Sequence, residues 1–208
     1  MYIRLNTTII PDSETQQHIS GFIERLRQQG EPDFFVSEDG PFPHITMYAP
    51  EYPTSKKPEI QHQLEMFFFE QQELCLPFSH IEVVDDGGIF FVYKETPEIM
   101  TLRRGVIELL NLMRDDHIKF SYKKTDRFNS EQIKDIEKYG YPLTFYAFPH
   151  ITLCKFSNRE KAQVAIDALG EMPQIPDLRV AKTGLYLTGT FGKCTELIRE
   201  YNFQHGSE

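Results

Sequence analysis

The pentapeptide FPHIT occupies residues 42–46 and occurs again, letter for letter, at residues 148–152. A five-residue string with proline and histidine is not expected to recur by chance in 208 residues, so it indicates an internal repeat. We therefore expect a single bilobal domain over 1–208, with interleaved lobes and pseudo-twofold halves of roughly 1–95 and 96–208. Histidine matters in such a repeat because its imidazole exchanges protons near neutral pH.

Each copy of the pentapeptide begins a predicted β-strand. Successive side chains of a strand point to opposite faces, so His44, Thr46 and Tyr48 share one face of the first strand. His150 and Thr152 share the corresponding face of the second strand. The residues between them are apolar and suited to packing on helices. The pattern therefore predicts that the His and Thr side chains line a cleft.

The hydrophobic patterns around the motifs predict strand, helix, motif strand, helix and hairpin in each half of the chain. Helices are expected at about 13–29, 58–72, 97–114, 130–139 and 158–169, and a short strand is expected at 120–123. No linker rich in Pro, Ser or Gly separates the halves. The predicted fold class is α+β, a bilobal duplicated fold with two antiparallel sheets around a central cleft and helices on the outer faces.

The charge balance limits the partners that the chain is suited to bind. The formal net charge is −9, which disfavours sequence-independent binding of long nucleic acid through many phosphate contacts. One basic stretch, residues 103–127, departs from this average just before the second motif. Within it Lys123, Lys124 and Arg127 are either a solvated turn or a cationic lip that guides a phosphate into the cleft.

The sequence has no signals for membrane insertion, secretion, disulfides or metal binding. There is no apolar run near the length of a membrane span and no start that resembles a signal peptide, so we expect a cytoplasmic protein without a membrane partner. The 3 cysteines form no CxxC motif, and no histidine pair has metal-ligand spacing, so neither a disulfide framework nor a metal site or other cofactor is expected. We expect a monomer.

Two imidazoles and two hydroxyls around one point suit a phosphodiester that undergoes in-line displacement. One imidazole can take a proton from the attacking hydroxyl or water, while the other gives a proton to the leaving oxygen. The threonine hydroxyls can donate hydrogen bonds to the non-bridging oxygens as negative charge grows there. This mechanism requires no metal. A single His-Thr pair would be read as an ordinary histidine, and the duplication is what favours catalysis.

At these residues the chain resembles the 2H phosphoesterase superfamily, which includes bacterial proteins similar to 2′-5′ RNA ligase and cyclic nucleotide phosphodiesterases. The family has two His-x-Ser/Thr motifs in a bilobal α+β fold, and here the two histidines lie 106 positions apart. The resemblance covers essentially the whole chain in its order of elements, although only the motifs are specific. It implies that His44 and His150 are the acid–base pair. It also implies that Thr46 and Thr152 bind phosphate.

Two further residues are candidates for substrate binding. Some bacterial members of the family carry a basic residue five positions after the second histidine, and Lys155 occupies that position here. Strict strand alternation turns Lys155 away from the cleft unless the strand bends or ends there. Tyr48 either stacks on or hydrogen-bonds a nucleotide, or it is an ordinary half-buried strand tyrosine.

The predicted function is metal-independent hydrolysis of a ribose-linked phosphodiester, either a 2′,3′-cyclic phosphate or a 2′-5′ linkage. The expected partner is a nucleotide, a cyclic phosphate or a short oligonucleotide. One alternative is an enzyme that degrades a cyclic or 2′-5′ oligonucleotide signal, and another is ligation of 2′-5′ ends, which is the reverse reaction. A third, from a different class, is a non-catalytic RNA- or nucleotide-binding module, which would not need two intact motifs.

Overall fold

The computed structural model describes residues 1–37, 39–144, 148–171, 174–189 and 192–204. The strands are β1 (Tyr2–Ile9), β2 (Phe34–Phe35), β3 (Ile45–Tyr48), β4 (Glu51–Pro53), β5 (Leu74–Leu76), β6 (Phe78–Val83), β7 (Gly88–Tyr93), β8 (His150–Lys155), β9 (Leu178–Val180), β10 (Lys182–Thr188) and β11 (Cys194–Asn202). The α-helices are α1 (Ser13–Arg27), α2 (Lys57–Phe69), α3 (Pro97–Asn111), α4 (Ser130–Tyr139) and α5 (Arg159–Asp167). Helices are mixed with antiparallel strands, so the predicted α+β class is confirmed.

The two motif strands are neighbours at the centre of the main sheet. The strand order is β11-β10-β1-β3-β8-β7-β6, with β4 paired to β1 and β2 paired to β8. Strands β3 and β8 share one register pair, Ile45 with Ile151. On one side of this join lie β1, β10 and β11, and on the other lie β7 and β6. The main sheet is thus two antiparallel halves joined at the motif strands, while β5 and β9 form a separate pair.

Each half of the main sheet combines strands from the first and the second half of the sequence. The β6–β7 hairpin, which follows the first motif in sequence, pairs with β8 of the second motif. Strands β10 and β11, which follow the second motif, pair onto β1 and so lie beside β3 of the first motif. Because of this exchange, neither motif strand is completed by its own sequence neighbours alone, and both contribute to one hydrophobic core.

The helices pack on the face of the sheet that carries the apolar motif residues. Helix α1 contacts β8, α2 contacts β11, α3 contacts β3, and α5 contacts β6 and β7. Ile45 and Ile151, at 4% and 0% exposure, lie in that core. The predicted apolar stripe of α1 is buried and consists of Ile19, Phe22, Ile23 and Leu26. Within the described ranges, no helix is both long and apolar enough to cross a membrane.

Some local sequence predictions are wrong. The strand predicted at 120–123 is a short 3₁₀ helix, Phe120–Tyr122, closed by a hydrogen bond from the Lys123 amide to the Phe120 carbonyl at 3.2 Å. A single 3₁₀ turn satisfies its backbone locally, without a neighbouring strand. The residue that caps helix α5 is Asn158, and not Ser157, which the sequence pattern also favours as a cap, because Asn158 Oδ1 accepts from the Lys161 amide at 2.9 Å.

The hairpin between β6 and β7 closes in a tight turn. The Val84 amide donates to the Gly88 carbonyl at 3.0 Å, and the turn residues are 85–87. Gly87 has a φ of +88°, and a Cβ there would lie 2.3 Å from the Phe156 carbonyl oxygen. Only glycine fits both conditions. The turn therefore lies against the end of β8 and brings Asp86 close to the second motif strand.

Candidate functional site

Both copies of the repeated motif open into one cavity of about 610 Å³ at the join between β3 and β8. His44, Thr46, His150 and Thr152 all line it. The register pair Ile45–Ile151, continued by one residue in each direction, sets each histidine opposite the threonine of the other motif. The four side chains that the sequence singled out are therefore brought together, on the face of the sheet opposite the helices.

The backbone of each motif holds its histidine in the same tautomer. Nδ1 of His44 lies 2.8 Å from the Phe42 carbonyl oxygen, and Nδ1 of His150 lies 3.0 Å from the Phe148 carbonyl oxygen. A carbonyl oxygen only accepts, so Nδ1 carries the hydrogen in both rings. In each neutral ring the basic nitrogen is consequently Nε2. This is the arrangement that a proton-transferring imidazole needs.

Burial makes both imidazoles less basic. Burial lowers the pKa of His44 from its ordinary 6.5, against the opposing hydrogen bond to the Phe42 carbonyl. Burial, together with the nearby His44 and Arg103, lowers the pKa of His150 to about 4, against the opposing hydrogen bond to the Phe148 carbonyl. Phe90 contributes to this burial because its ring stacks on His150 at a centroid distance of 4.4 Å. Both rings are thus neutral near pH 7, and a bound phosphodiester anion would favour protonation.

A β-bulge follows the threonine in each motif strand. Thr8 and Thr7 of β1 pair with Thr46 and Tyr48, so one residue of β3 is extra. Phe90 and Ile89 of β7 pair with Thr152 and Cys154, so one residue of β8 is extra at the same place. A bulge shifts the side-chain alternation by one residue. Beyond each threonine, a side chain therefore points to the face opposite the one that strict alternation from the histidine predicts.

The bulge in β8 turns Lys155 into the cavity. Lys155 pairs with Gly88, which also lines the cavity, and the Lys155 ammonium lies 2.5 Å from Asp86 Oδ2. The alternation argument placed this side chain on the opposite face, and the extra residue is the reason that it does not lie there. The position of Lys155 is compatible with the substrate-binding role that the resemblance implies.

The bulge in β3 has the opposite consequence for Tyr48. Its side chain is 0% exposed, and its hydroxyl donates to the Tyr139 carbonyl at 2.6 Å and lies 3.1 Å from Asn111 Oδ1. Tyr48 is not among the described residues that line the cavity. The sequence hypothesis that it contacts a nucleotide is therefore not supported, and the hydroxyl instead ties β3 to the ends of α3 and α4.

The basic stretch divides into residues that reach the cavity and residues that do not. Arg127 lines the cavity, and its guanidinium donates to the Ser121 carbonyl at 2.9 Å. Lys123 and Lys124 are exposed and lie outside the lining. Of the predicted cationic lip, only Arg127 therefore reaches the cavity. The short 3₁₀ turns on either side of Lys123 and Lys124 leave both side chains pointing to solvent.

Sequence reasoning missed several residues of the cavity. Its six described cations are Arg4, Arg103, Lys119, Arg127, Lys155 and Lys193, and its aromatic residues are Phe34, Phe42, Phe90, Tyr122, Phe128 and Tyr141. Asp86 is the single carboxylate among the described lining residues. Arg103, Lys119 and Arg127 lie in the basic stretch, and Lys155 was identified through the family resemblance. Arg4 and Lys193 are isolated in sequence and gave no signal. In a chain of net charge −9, this cavity is locally cationic and suited to an anionic ligand.

Asn6 is a further residue that the sequence did not identify. It is 1% exposed, and its Nδ2 lies 3.4 Å from His44 Nε2, 3.0 Å from Thr46 Oγ1 and 3.6 Å from Cys194 Sγ. Its Oδ1 is buried and has no hydrogen-bond donor among the described residues. Asn6 lies two residues before Thr8, the strand partner of Thr46. The corresponding position beside the second motif lies two residues before Phe90, the strand partner of Thr152, and is Gly88. The two histidines therefore differ in their surroundings.

The described residues include no group of three or more His, Cys, Asp or Glu side chains placed to hold a metal ion. What they do hold is a pair of imidazoles in one tautomer, two hydroxyls and a set of cations around one cavity. Such a set can bind a phosphate, donate hydrogen bonds to its oxygens and move protons on either side of it.

Comparison with known proteins identifies the fold. No protein-family model and no curated protein matches this sequence. Among solved structures, TT0787 of Thermus thermophilus aligns over 99% of this chain and 100% of its own, with a TM-score of 0.56 and 13% identity. E. coli LigT complexed with 3′-AMP aligns over 98% of this chain and 99% of its own, with a TM-score of 0.52 and 17% identity.

A protein described as a phosphoesterase aligns over 97% of this chain and 99% of its own, with a TM-score of 0.51 and 17% identity. This chain therefore shares the fold of LigT and of this phosphoesterase, and the predicted resemblance is confirmed at the level of the fold. The alignments cover nearly the full length of every chain compared. The shared fold therefore extends over both motifs of this chain.

Proposed function

We propose that this protein is a metal-independent phosphodiesterase that hydrolyses a ribose-linked phosphodiester of a nucleotide or short RNA. The observation that carries the proposal is the convergence of both motifs on one cationic cavity. Two histidines in the same tautomer face each other's threonines there. One solved structure with the same fold is described as a phosphoesterase, which supports the same reaction class for this chain.

The reaction balances with protons alone. In hydrolysis of a 2′,3′-cyclic phosphate, one imidazole Nε2 takes a proton from water as the water oxygen bonds to phosphorus. The other imidazole, protonated, gives its Nε2 proton to the ribose oxygen as the P–O bond breaks. Thr46 and Thr152 donate hydrogen bonds to the non-bridging oxygens, whose charge increases in the transition state. The imidazoles end with exchanged protonation states, and solvent resets them.

The surroundings of the two rings favour different roles. Burial lowers the pKa of both rings, so basicity alone does not distinguish them. Gly88, at the place that corresponds to Asn6, has no side chain to accept a hydrogen bond from a protonated His150, so His150 is the proposed base. The Asn6 amide can turn by half a revolution, which places Oδ1 where it accepts from a protonated His44. This turn also gives the buried Oδ1 a donor, and an unsatisfied buried acceptor costs about 1–3 kcal/mol. His44 is therefore the proposed acid.

The cavity wall favours a nucleoside on one side of the phosphate. Phe34, Phe42 and Tyr122 are among the aromatic side chains that line it, and a base can stack on such rings. E. coli LigT, which has the same fold, forms a complex with 3′-AMP. Small nucleotides and short oligonucleotides suit a cavity of about 610 Å³ in an acidic chain better than long RNA does.

The proposal is tested with a panel of substrates in excess EDTA. Nucleoside 2′,3′-cyclic phosphates, 2′-5′ dinucleotides and cyclic dinucleotides are incubated with the protein, and products are identified by mass and against 2′- and 3′-phosphate standards. Hydrolysis that persists in EDTA is expected. Loss of activity on chelation, restored by Mn²⁺ or Mg²⁺, would refute the two-histidine mechanism. Tight binding of these ligands without turnover would instead identify a non-catalytic nucleotide-binding protein.

A further inference from the structure

Three of the cavity cations gather around the side chain of Tyr122. Arg4 Nη2 donates to the Tyr122 hydroxyl at 3.3 Å, and the Lys119 ammonium lies 5.6 Å from the centroid of the Tyr122 ring. The Arg127 guanidinium lies 5.9 Å from the same centroid. We call these four residues the Tyr122 cluster. All four line the cavity that holds the motif histidines.

The cations of the Tyr122 cluster have no ion pair with a described carboxylate. Within the described part of the chain, no Asp or Glu lies within ion-pair distance of its three cations. Glu51, the carboxylate whose charge acts on Lys119, has its Oε2 2.9 Å from His117 Nε2. Partial burial, together with the charges of Arg4 and Arg127, lowers the pKa of Lys119. An anion bound here would relieve this repulsion.

The Tyr122 cluster is separated from the histidines along one face of β1. Asn6 contacts His44 and Thr46, and Arg4 precedes it by two residues on the same face. A strand rises about 3.3 Å per residue, so the two side chains leave the strand about 7 Å apart. Tyr122 and Phe128, whose ring centroids lie 5.8 Å apart, both line the cavity that holds the histidines. This gap is wide enough for a nucleoside unit rather than for a single phosphate group.

We propose that the Tyr122 cluster is a second anion subsite, which binds a phosphate one nucleoside away from the phosphodiester held between the histidines. The inference rests on the proposed function, because that function identifies the first phosphate. The second phosphate is either the terminal phosphate of a mononucleotide or the next internucleotide phosphate of a short oligonucleotide. Both sources present the same anionic oxygens to Arg4, Lys119 and Arg127. The preferred substrate therefore carries at least two phosphates.

Binding tests the subsite without requiring turnover. The probes are adenosine 3′-monophosphate and adenosine 3′,5′-bisphosphate, titrated calorimetrically into three proteins. These are the wild type, the double variant Lys119→Ser/Arg127→Ser and the matched control Lys123→Ser/Lys124→Ser. The control removes the same charge from the same stretch, at two exposed positions outside the cavity lining. Arg4 is left unchanged because its Nε also donates to the Ala49 carbonyl at 3.2 Å.

The wild type should bind the bisphosphate at least about tenfold more tightly than the monophosphate, since charge-assisted phosphate contacts are among the stronger hydrogen bonds. Lys119→Ser/Arg127→Ser should remove this preference and leave the affinity for the monophosphate within about twofold, whereas the control should keep the preference. Equal affinities of the wild type for both probes would overturn the subsite. An equal loss of preference in the control would also overturn it, because general electrostatic attraction would then explain the result.

Turnover separates the subsite from the proposed function. Three adenosine-terminated 2′,3′-cyclic phosphates are compared: one with a free 5′-hydroxyl, one with a 5′-phosphate and one extended by a 5′ nucleotide. A higher kcat/KM for either phosphorylated form, through a lower KM, supports the subsite and identifies the source of the second phosphate. Hydrolysis of all three with equal KM would refute the subsite alone. Absence of hydrolysis with an intact binding preference would refute the proposed function alone.

Discussion

The two copies of FPHIT have the same backbone and different neighbours. Each begins a central strand, has a histidine whose Nδ1 donates to the carbonyl two residues earlier, and is followed by a β-bulge. Beside the first copy lies the buried amide of Asn6, whereas position 88, a glycine, occupies the corresponding place beside the second. The second copy has Phe90 stacked on its histidine and Lys155 paired with Asp86.

In the proposed mechanism the two copies of the motif have different proton roles, although their backbones are alike. The repeat determines where each imidazole is placed and which nitrogen is basic, because both properties depend on the local backbone. The relative basicity of the rings depends on side chains from β1 and β7, which belong to other parts of the sequence. Substitutions in the two copies should therefore lower activity by similar factors and differ in how they change the pH profile.

Replacement of either histidine should have the largest effect. His44→Ala and His150→Ala should each lower kcat by roughly 10²–10⁴-fold, the usual scale for loss of a general acid or base. Because the two rings act as one unit, the double variant should lose far less than the product of the single losses. Steady-state kinetics on folded variants, checked by circular dichroism, measures this. Near-full activity in one single variant would show that its motif is structural.

Replacement of the threonines should cost less. Thr46→Ala and Thr152→Ala each remove one hydrogen-bond donor to the phosphate oxygens, so kcat/KM should fall by roughly 10–10³-fold. Because the proposed hydrogen bonds strengthen in the transition state, the loss should appear in kcat rather than in KM. Thr→Ser at the same positions serves as the control and should retain most activity. A loss confined to KM would contradict the proposed contact with developing charge.

Asn6 should affect the first histidine and not the second. Asn6→Leu removes the acceptor for a protonated His44, so kcat/KM should fall by about 10–10²-fold and the alkaline limb of its pH profile should move to lower pH. Asn6→Asp should move the same limb to higher pH, because a carboxylate stabilises the imidazolium. The limbs belong to the coupled pair, so only their displacement is assigned. Thr8→Val, on the same face of β1, should leave both limbs in place.

The smallest expected effect is on stability. The pKa of His150 is about 4 in the folded chain and near its ordinary 6.5 in the unfolded chain. Between these values the unfolded chain binds the proton and the folded chain does not, so acidification below about pH 6.5 lowers the free energy of unfolding. At pH 5 the loss should be at most about 2 kcal/mol. Urea unfolding at pH 7 and pH 5 measures it.

The matched variant for this measurement is His150→Asn, which should be less sensitive to pH than the wild type by up to that amount. His44→Asn should have the same sign, because burial also lowers the pKa of His44. An identical decrease between pH 7 and pH 5 in wild type and both variants would show that other groups account for the pH dependence. It would also show that the imidazoles are less buried in solution than their surroundings in the fold indicate.

Most regular elements could be predicted from the sequence because they depend on local patterns. The stripe of α1, the capped start at Thr96 and the glycine stop at Gly140 each act within a few residues. The error at 120–123 arose because short aromatic and basic stretches fit a strand as well as a turn. The choice there depends on Tyr122, whose hydroxyl contacts Arg4 more than a hundred residues away in sequence.

The sequence by itself determined the two motifs, their strands and the convergence of His and Thr that a duplicated fold implies. These follow from a repeated string and from the two-residue period of a strand, both of which are properties of neighbouring residues. Only the tertiary structure decided that Lys155 enters the cavity, that Tyr48 leaves it, that Asn6 stands beside the first histidine and that Arg4 stands beside Tyr122. The physical reason is that bulges and strand pairing depend on the partner strand, which no local pattern specifies.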